Sequence, residues 1–168
     1  SAFRYPRGNG IGIELPNIND VLKIGKAKLV QEGKKIALLN FGARLQECKK
    51  ASEVLSKKGI NITIVDARFV KPLDEKLIME IATSHEALIT IEEGSIGGFG
   101  SHVSQLLSER GVFDNGLKFR SMILPDEFLD QDTPEKMYIK AGLSYKSIVE
   151  KVEQTLVSNI VFAKNNKN

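Results

Sequence analysis

The sequence predicts an α/β fold in which a doubly wound, mostly parallel sheet carries helices on both faces. Three observations support this prediction. From residue 35 onward, short apolar runs alternate with segments of helical periodicity; the runs are apolar enough for strands buried on both faces; and glycine, proline or a capping residue marks the junctions. Strand–helix alternation is typical of a parallel sheet with right-handed crossovers.

The first half of this pattern contains two strands and two helices. Residues 36–41 (IALLNF) form a short apolar run that suits a buried strand. Residues 43–58 have helical periodicity, with lysines on one face and smaller or apolar side chains on the other. Residues 61–66 (NITIVD) form a β-branched strand, and Asp74 caps a predicted helix over residues 75–83.

The second half repeats the alternation and closes with two helices. The predicted elements are a strand over residues 87–91, a helix over 102–110, a strand over 118–124, a short helix starting at Thr133-Pro134 and a last helix capped by Ser144.

The two ends of the chain do not follow this alternation. Residues 1–34 are predicted to form an arm or interdomain connector, because the first twenty are rich in Gly, Pro and Asn; residues 23–30 are a candidate extra strand beside the sheet. Residues 35–157 make up the predicted α/β domain, and residues 158–168 a frayed tail that is polar from residue 163 onward.

Composition and charge exclude several functional classes. The 168 residues include 24 Lys plus Arg and 21 Asp plus Glu, so the net charge of +3 is too small to argue for nucleic-acid binding. No apolar run approaches the roughly 20 residues of a transmembrane helix, and no signal-peptide pattern is present. The single cysteine excludes an internal disulfide framework. We therefore expect a cytoplasmic protein without membrane or nucleic-acid partners.

Few residues of the predicted domain suggest chemistry. Glu92 and Glu93 are adjacent at a strand end and point to opposite faces, so solvated side chains explain them better than an acid–base pair. His85 and His102 lie on different elements without metal ligands at suitable spacing, and Cys48 falls on the inward face of a helix. We expect no catalytic, metal-binding or cofactor-binding residue here.

One crevice is a candidate anion site. The glycine-rich segment 93–100 joins a strand to a helix, where backbone N–H groups can bind an anion, although it lacks the dinucleotide and P-loop patterns. Arg44 follows the first strand of the pattern. If the sheet order reverses between these two strands, Arg44, Gly94 and Ser95 line one crevice. A tight turn and a solvated arginine are the structural alternatives.

Arg7 is a second candidate anion ligand. It lies in RYPRGNG, where Pro6 stiffens the turn and Gly8 permits close approach to another surface. An arginine placed in this way can bind a phosphate with two donors. An ion pair with a neighbouring domain explains the position equally well.

The motifs of the chain resemble those of a known family. RYPRGNG, IALLNFGARLQE, ITIVDARFVKPLDEKLI, SHEALITIEEGSIGGFGSHV and LPDEFLDQDTPEKMYIKAGL are similar, in this order, to the C-terminal domain of 1-deoxy-D-xylulose-5-phosphate synthase over residues 3–156. VDxRxxKPLD and EEGxxGGFG also occur in transketolase-like and 2-oxo-acid dehydrogenase enzymes. RYPRGNG and the LPD segment point to the synthase.

This resemblance implies a transketolase C-terminal-like fold in a homodimeric transferase. The family joins pyruvate to D-glyceraldehyde 3-phosphate with loss of carbon dioxide, and supplies isoprenoid and thiamine synthesis. It uses thiamine diphosphate and Mg²⁺, which preceding domains hold, so we expect this chain to be an inactive fragment that packs against those domains. By its position in RYPRG, Arg7 matches the family's arginine that holds the phosphate of glyceraldehyde 3-phosphate.

Two alternatives stay open. One is a stand-alone regulatory module that binds a small anion at the crevice of Arg44 and Gly94. The other is the C-terminal domain of a 2-oxo-acid dehydrogenase beta subunit, which shares the fold and the cofactor.

Overall fold

The computed structural model describes Gly10, Gly12, Asn17 and residues 19–157, which form a five-stranded sheet with helices on both faces. The predicted α/β class with a doubly wound, mostly parallel sheet is confirmed. In chain order the elements are β1 (Lys28–Gln31), β2 (Ile36–Phe41), α1 (Leu45–Ser56), β3 (Thr63–Asp66), α2 (Glu75–Ser84), β4 (Ala87–Glu92), α3 (Phe99–Glu109), a 3-10 helix (Val112–Asn115), β5 (Lys118–Met122), α4 (Pro134–Lys140) and α5 (Tyr145–Val157).

The strand order β1-β3-β2-β4-β5 reverses next to β2. β3 pairs with one side of β2 and β4 with the other, and these pairings and that of β4 with β5 are parallel. We call the edge where these four strands end the carboxyl edge, and the edge where they begin the amino edge. The reversal opens a crevice at the carboxyl edge between the loops that follow β2 and β4.

β1 is an antiparallel strand at the border of the sheet. Lys28 lies opposite Asp66, the last residue of β3, so the segment before β1 lies at the carboxyl edge. The register slips between Leu29 and Gln31, which marks a bulge. The strand begins later than residue 23 because the chain turns first, with the Lys26 N–H donating to the Lys23 carbonyl at 3.1 Å.

Alternate residues of the central strands supply two separate cores. Ile36 and Leu38 of β2 pack on the face that α1 and α5 cover, whereas Ala37 and Leu39 pack on the face of α2 and α3. All four are fully buried. Removing a side chain such as Leu38 from water stabilises the fold by roughly 1.5–3 kcal/mol. Because both faces are covered, the central strands are apolar along most of their length.

Three predicted helix starts are confirmed by the contacts at those positions. Asp74 caps α2 by accepting a hydrogen bond from the Leu77 N–H at 3.4 Å. Pro134 is in the first turn of α4. Ser144 accepts from the Ser147 N–H at 3.3 Å at the start of α5. None of the helices in the described part of the chain combines the length and apolar content needed to cross a bilayer.

Some element boundaries differ from the predicted ones. α3 begins at Phe99, three residues before the predicted start. β3 begins at Thr63 and β5 ends at Met122, so both strands are shorter than predicted. The 3-10 helix was not predicted; Gly111 and Gly116, with φ of 66° and 84°, bracket it.

The turn between β1 and β2 lies against the main chain of Ile62. A Cβ on Gly33 would overlap that main chain, lying 2.6 Å from the Ile62 Cα and nearer still to its carbonyl group. The Gly33 N–H donates to the Thr63 hydroxyl at 3.0 Å. Only glycine fits this approach, because the opposing atoms belong to the backbone.

Candidate functional site

The carboxyl edge brings together the loops that follow β2 and β4. The reversal of strand order on which the predicted crevice depends is confirmed. Arg44 follows β2, and its Nε lies 2.7 Å from Oε1 of Glu93, directly after β4. The structure therefore places Arg44 next to the loop that contains Gly94 and Ser95.

The Arg44 side chain is mostly buried and is held from two sides. It is 14% exposed, and both atoms of its ion pair with Glu93 are shielded from solvent. On its other side the guanidinium carbon lies 3.5 Å from the ring centroid of Tyr138, in a cation–π contact. Burial, a hydrogen bond to Glu93 and the charge of Glu93 raise the pKa of Tyr138, against the effect of Arg44. This cluster ties α1 and α4 to the loop after β4.

A cavity of about 660 Å³ adjoins the Arg44 cluster, between α1, α4 and the start of α5. Glu47 lines it and accepts hydrogen bonds from the Tyr145 N–H at 2.9 Å and the Lys50 ammonium at 2.8 Å. Burial alone raises the pKa of Glu47, but these two partners and the charge of Arg44 outweigh it and lower the pKa. The cavity is lined by carboxylates as well as cations, so its charge does not select an anion.

Anion binding at this crevice stays a prediction. Arg44 lines the cavity, whereas Gly94 and Ser95 lie outside its lining. Glu93 already neutralises Arg44, so an incoming anion would have to compete with a carboxylate 2.7 Å away. The contacts show an arginine packed against Glu93 and Tyr138, which differs from the solvated arginine of the structural alternative.

Glu92 is the residue that sequence reasoning missed. It is 4% exposed, not solvated as expected for a strand end. Its Oε2 accepts the Phe99 N–H at 2.9 Å and its Oε1 accepts the Gly100 N–H at 2.8 Å. A carboxylate at the N-terminus of a helix satisfies free donors and complements the helix dipole. This cap explains why α3 begins at Phe99.

The glycines of the segment after β4 make room for the Glu92 carboxylate. A Cβ on Gly98 would lie 2.5 Å from its Oε2, and one on Gly94 would overlap the same oxygen. A Cβ on Gly100 would lie 2.6 Å from the Thr90 hydroxyl oxygen. The N–H groups of Phe99 and Gly100, which sequence reasoning offered to an external anion, thus bind a carboxylate of the chain itself. In the sequence, the three glycines that follow Glu92 at these positions were the feature that could have indicated its capping role.

The histidines and the cysteine have structural surroundings. Nδ1 of His85 lies 2.9 Å from the Ile81 carbonyl, which can only accept, and Nε2 lies 2.7 Å from the Thr63 hydroxyl. His102 lies on α3, away from these groups in sequence and element. Burial raises the pKa of Cys48 to about 12, and the charge of Glu47 adds to this. A thiol with that pKa is a poor nucleophile at neutral pH.

Asp74 joins the segment before β1 to the sheet, a role that its capping position did not reveal. Besides capping α2, its carboxylate accepts the Ala27 N–H at 3.1 Å and the Lys26 ammonium at 3.3 Å. Burial alone raises the pKa of Asp74, but the N–H groups of Ala27 and Leu77 and the Lys26 charge outweigh it, so the pKa is lowered. The carboxylate form is therefore the one that stabilises the fold.

We expect Asp74→Ala to lower the free energy of unfolding by about 2 kcal/mol at pH 7, because the cap and the anchor for Ala27 are lost together. The folded pKa of Asp74 is lowered, so its contribution is present above the unfolded pKa of about 3.9 and is lost as the pH falls through the folded value. Urea unfolding of both proteins at pH 7 and at about pH 3 measures this. Equal differences at the two pH values would contradict the role of the charge.

Arg7 lies outside the residues that the structure describes, and its phosphate-binding role stays a prediction. Within residues 19–157 and the three isolated residues before them, no three His, Cys, Asp or Glu side chains come together in a way that could hold a metal ion.

Comparison with known proteins places the chain in a family. Residues 25–148 match the model of the transketolase C-terminal domain. The fold is similar to that of a split-gene transketolase described as an inactive beta4 tetramer, with 28% identity and a TM-score of 0.75 over 85% of this chain and 46% of that one. The transketolase of Campylobacter jejuni subsp. jejuni NCTC 11168 shares the fold, with 17% identity and a TM-score of 0.56 over 77% of this chain and 18% of that one. This chain spans less than half the length of either protein.

The family match is extensive. It runs from the segment before β1 into the first turns of α5, and so takes in the whole sheet, the Arg44 cluster and the Glu92 cap. It covers well over half of the 168 residues. The chain belongs to the transketolase C-terminal domain family.

Proposed function

We propose that this chain is the C-terminal domain of a thiamine-diphosphate-dependent transferase that makes 1-deoxy-D-xylulose 5-phosphate from pyruvate and D-glyceraldehyde 3-phosphate, releasing carbon dioxide. The observation that carries the proposal is the family match over residues 25–148. RYPRGNG and the LPD segment favour the synthase within that family. The whole enzyme is proposed to be a cytoplasmic homodimer.

The described residues do not fit thiamine diphosphate with Mg²⁺. In the loop after β4, the glycine-rich candidate for an anion, the Phe99 and Gly100 N–H groups donate to the chain's own Glu92. No group of acidic side chains suited to a metal ion occurs within the described ranges. We therefore propose that preceding domains of the same polypeptide bind both cofactors, and we assign no catalytic step to the described residues.

The test of the proposed reaction compares two proteins. The longer polypeptide, supplied with thiamine diphosphate, Mg²⁺ and both substrates, should form deoxyxylulose phosphate and carbon dioxide in equal amounts. The 168-residue chain under the same conditions should form neither. Turnover by the 168-residue chain would contradict the proposal that the preceding domains bind the cofactors. Oxidative decarboxylation of a 2-oxo acid without sugar-phosphate formation would favour a dehydrogenase beta subunit instead.

We propose Arg7 as the group that holds the phosphate of glyceraldehyde 3-phosphate. In the longer polypeptide, Arg7→Ala should raise the KM for glyceraldehyde 3-phosphate roughly tenfold, because a charge-assisted hydrogen bond to the phosphate is lost. The KM for pyruvate should change little, since pyruvate carries no phosphate. Steady-state kinetics with each substrate varied in turn measures the two values.

Arg120→Ala is the matched control for this measurement. Arg120 is an exposed arginine on β5, and its guanidinium donates to the neighbouring Phe119 carbonyl at 2.7 Å. Removing it tests the effect of losing one positive charge elsewhere on the molecule. Equal increases in the KM of both substrates for Arg7→Ala, or the same selective increase for Arg120→Ala, would remove the assignment of Arg7.

The contacts of Arg44 weigh against a stand-alone anion-binding module. Its Nε is engaged by Glu93 and its guanidinium face by Tyr138. Titration of the 168-residue chain with inorganic phosphate tests this alternative directly. Saturable phosphate binding that is abolished by Arg44→Gln would support the stand-alone anion-binding module.

A further inference from the structure

Six of the eight large exposed apolar side chains of the described residues lie at the carboxyl edge of the sheet, and the other two are Leu29 on β1 and Val157 at the end of α5. The six come from four parts of the chain: the segment before β1, the loop after β4, the loop after β5, and helix α4. They are Val21, Leu22, Ile24, Ile96, Phe128 and Ile139. We call this set the carboxyl-edge face. Several exposed apolar side chains at one edge of a folded domain make that edge a candidate contact surface.

The contacts between these parts hold them at one edge. The loops after β4 and β5 are joined by the Leu124 N–H, which donates to the Gly94 carbonyl at 2.9 Å. Tyr138 of α4 packs on Arg44, which lies just after the end of β2, and this contact holds α4 at the same edge. The segment before β1 is held by Asp74, in the connection that follows β3. These contacts place the four parts of the chain that carry the face at the same edge of the sheet.

Phe128 is the most exposed of these side chains. It is fully exposed, and the loop that carries it is acidic: Asp126, Glu127 and Asp130 are exposed and form no ion pair among the described residues. Aromatic side chains near the centre of an interface often contribute most of its binding energy. The matching surface on the partner would be an apolar pocket for Phe128 with cationic groups at its rim.

The point at which the described chain enters the fold indicates the partner. The chain enters the fold at the carboxyl edge, where Gly25 lies against Pro72 and Asp74 holds Ala27. It leaves from the other edge, since the Thr155 carbonyl near the end of α5 accepts from Lys118 at the start of β5. A domain joined to the chain upstream of residue 19 would therefore be tethered at this edge of the sheet, which raises its effective concentration there.

We propose that the carboxyl-edge face is the surface against which the preceding domain of the same polypeptide packs, with Phe128 as its anchor. This proposal rests on the proposed function only in taking the chain as one domain of a longer polypeptide. The chain covers 46% of the similar split-gene protein, which agrees with that assumption.

Hydrogen exchange compares the longer polypeptide with the 168-residue chain. Peptides covering residues 19–27, 93–98 and 123–133 should exchange about tenfold more slowly in the longer polypeptide. A peptide covering residues 110–118 at the amino edge should exchange equally in both. Equal exchange at the carboxyl edge, or slowing confined to residues 110–118, would overturn the proposal. If self-association of the 168-residue chain alone slowed the hydrogen exchange of the carboxyl-edge peptides, the face would be a contact with a second copy. That result would also overturn the proposal.

Phe128→Ser tests the anchor. In the longer polypeptide it should restore fast exchange to residues 123–133, while leaving the unfolding of the 168-residue chain unchanged, because the side chain is exposed there. The control is Val157→Ser, which removes an exposed apolar side chain at the end of α5 and should leave the exchange of residues 123–133 slow. Retained protection in Phe128→Ser would overturn the anchor role. Protection of the face in a longer polypeptide that makes no deoxyxylulose phosphate would support this proposal while the proposed function fails.

Discussion

Glu92→Ala should lower the free energy of unfolding of this chain by about 3 kcal/mol, because the Phe99 and Gly100 N–H groups lose their acceptor. Both donors lie at the buried start of α3, where Phe99 is 1% exposed and water has little access. The three glycines beside the carboxylate provide no substitute acceptor side chain. The first turn of α3 should consequently fray, and hydrogen exchange of its amides should accelerate.

Urea unfolding at pH 7 measures the loss, and two further variants make the result specific. Glu92→Gln keeps one acceptor oxygen and should lose less stability than Glu92→Ala. Glu127→Ala removes an exposed carboxylate from the same edge and should change the free energy of unfolding by less than about 0.5 kcal/mol. If Glu92→Ala were as stable as Glu127→Ala, the carboxylate would not be the cap of α3.

Gly33→Ala should also lower the free energy of unfolding by about 3 kcal/mol, because its Cβ would occupy the space of the Ile62 main chain. The backbone of Ile62 leads into β3, which pairs with both β1 and β2, so a shift there disturbs two strand pairings. The hydrogen bond from the Gly33 N–H to Thr63 would be lengthened as well. Thermal unfolding of the 168-residue chain gives the measurement.

Gly10→Ala is the matched control for Gly33→Ala. A Cβ on Gly10 meets no atom of the described residues within 4 Å, so the same chemical change should leave the melting temperature unaltered. A Gly33→Ala variant as stable as Gly10→Ala would show that the β1–β2 turn can move away from Ile62, contrary to the close approach described above.

The strands and helices were predictable because burial on both faces leaves a strong local pattern. The run IALLNF of β2 needs no tertiary information, since all of its side chains except that of Asn40 are apolar, as expected for a strand covered on both faces. Asp74 and Ser144 were predictable as caps because a capping side chain acts on amides two or three residues away. The crevice followed from the alternation of strands and helices once the order reversal was assumed.

The contacts between distant parts of the chain were not predictable. That Asp74 also holds Ala27, 47 residues away, depends on where β1 lies in the sheet. The burial of Glu92 depends on its turning towards the N–H groups of α3, and strand periodicity alone cannot show this. The pairing of Arg44 with Glu93 and Tyr138 joins three elements, so its isolated position in the sequence suggested a free cation.

The bulge in β1 affects how molecules of this chain meet at high concentration. An outer strand with a regular row of N–H and C=O groups can template the addition of a strand from another molecule. The slip between Leu29 and Gln31 interrupts that row on one border of the sheet. On the opposite border the Arg120 guanidinium donates a hydrogen bond to the Phe119 carbonyl. Both features work against cross-β growth into fibrils at the borders of the sheet.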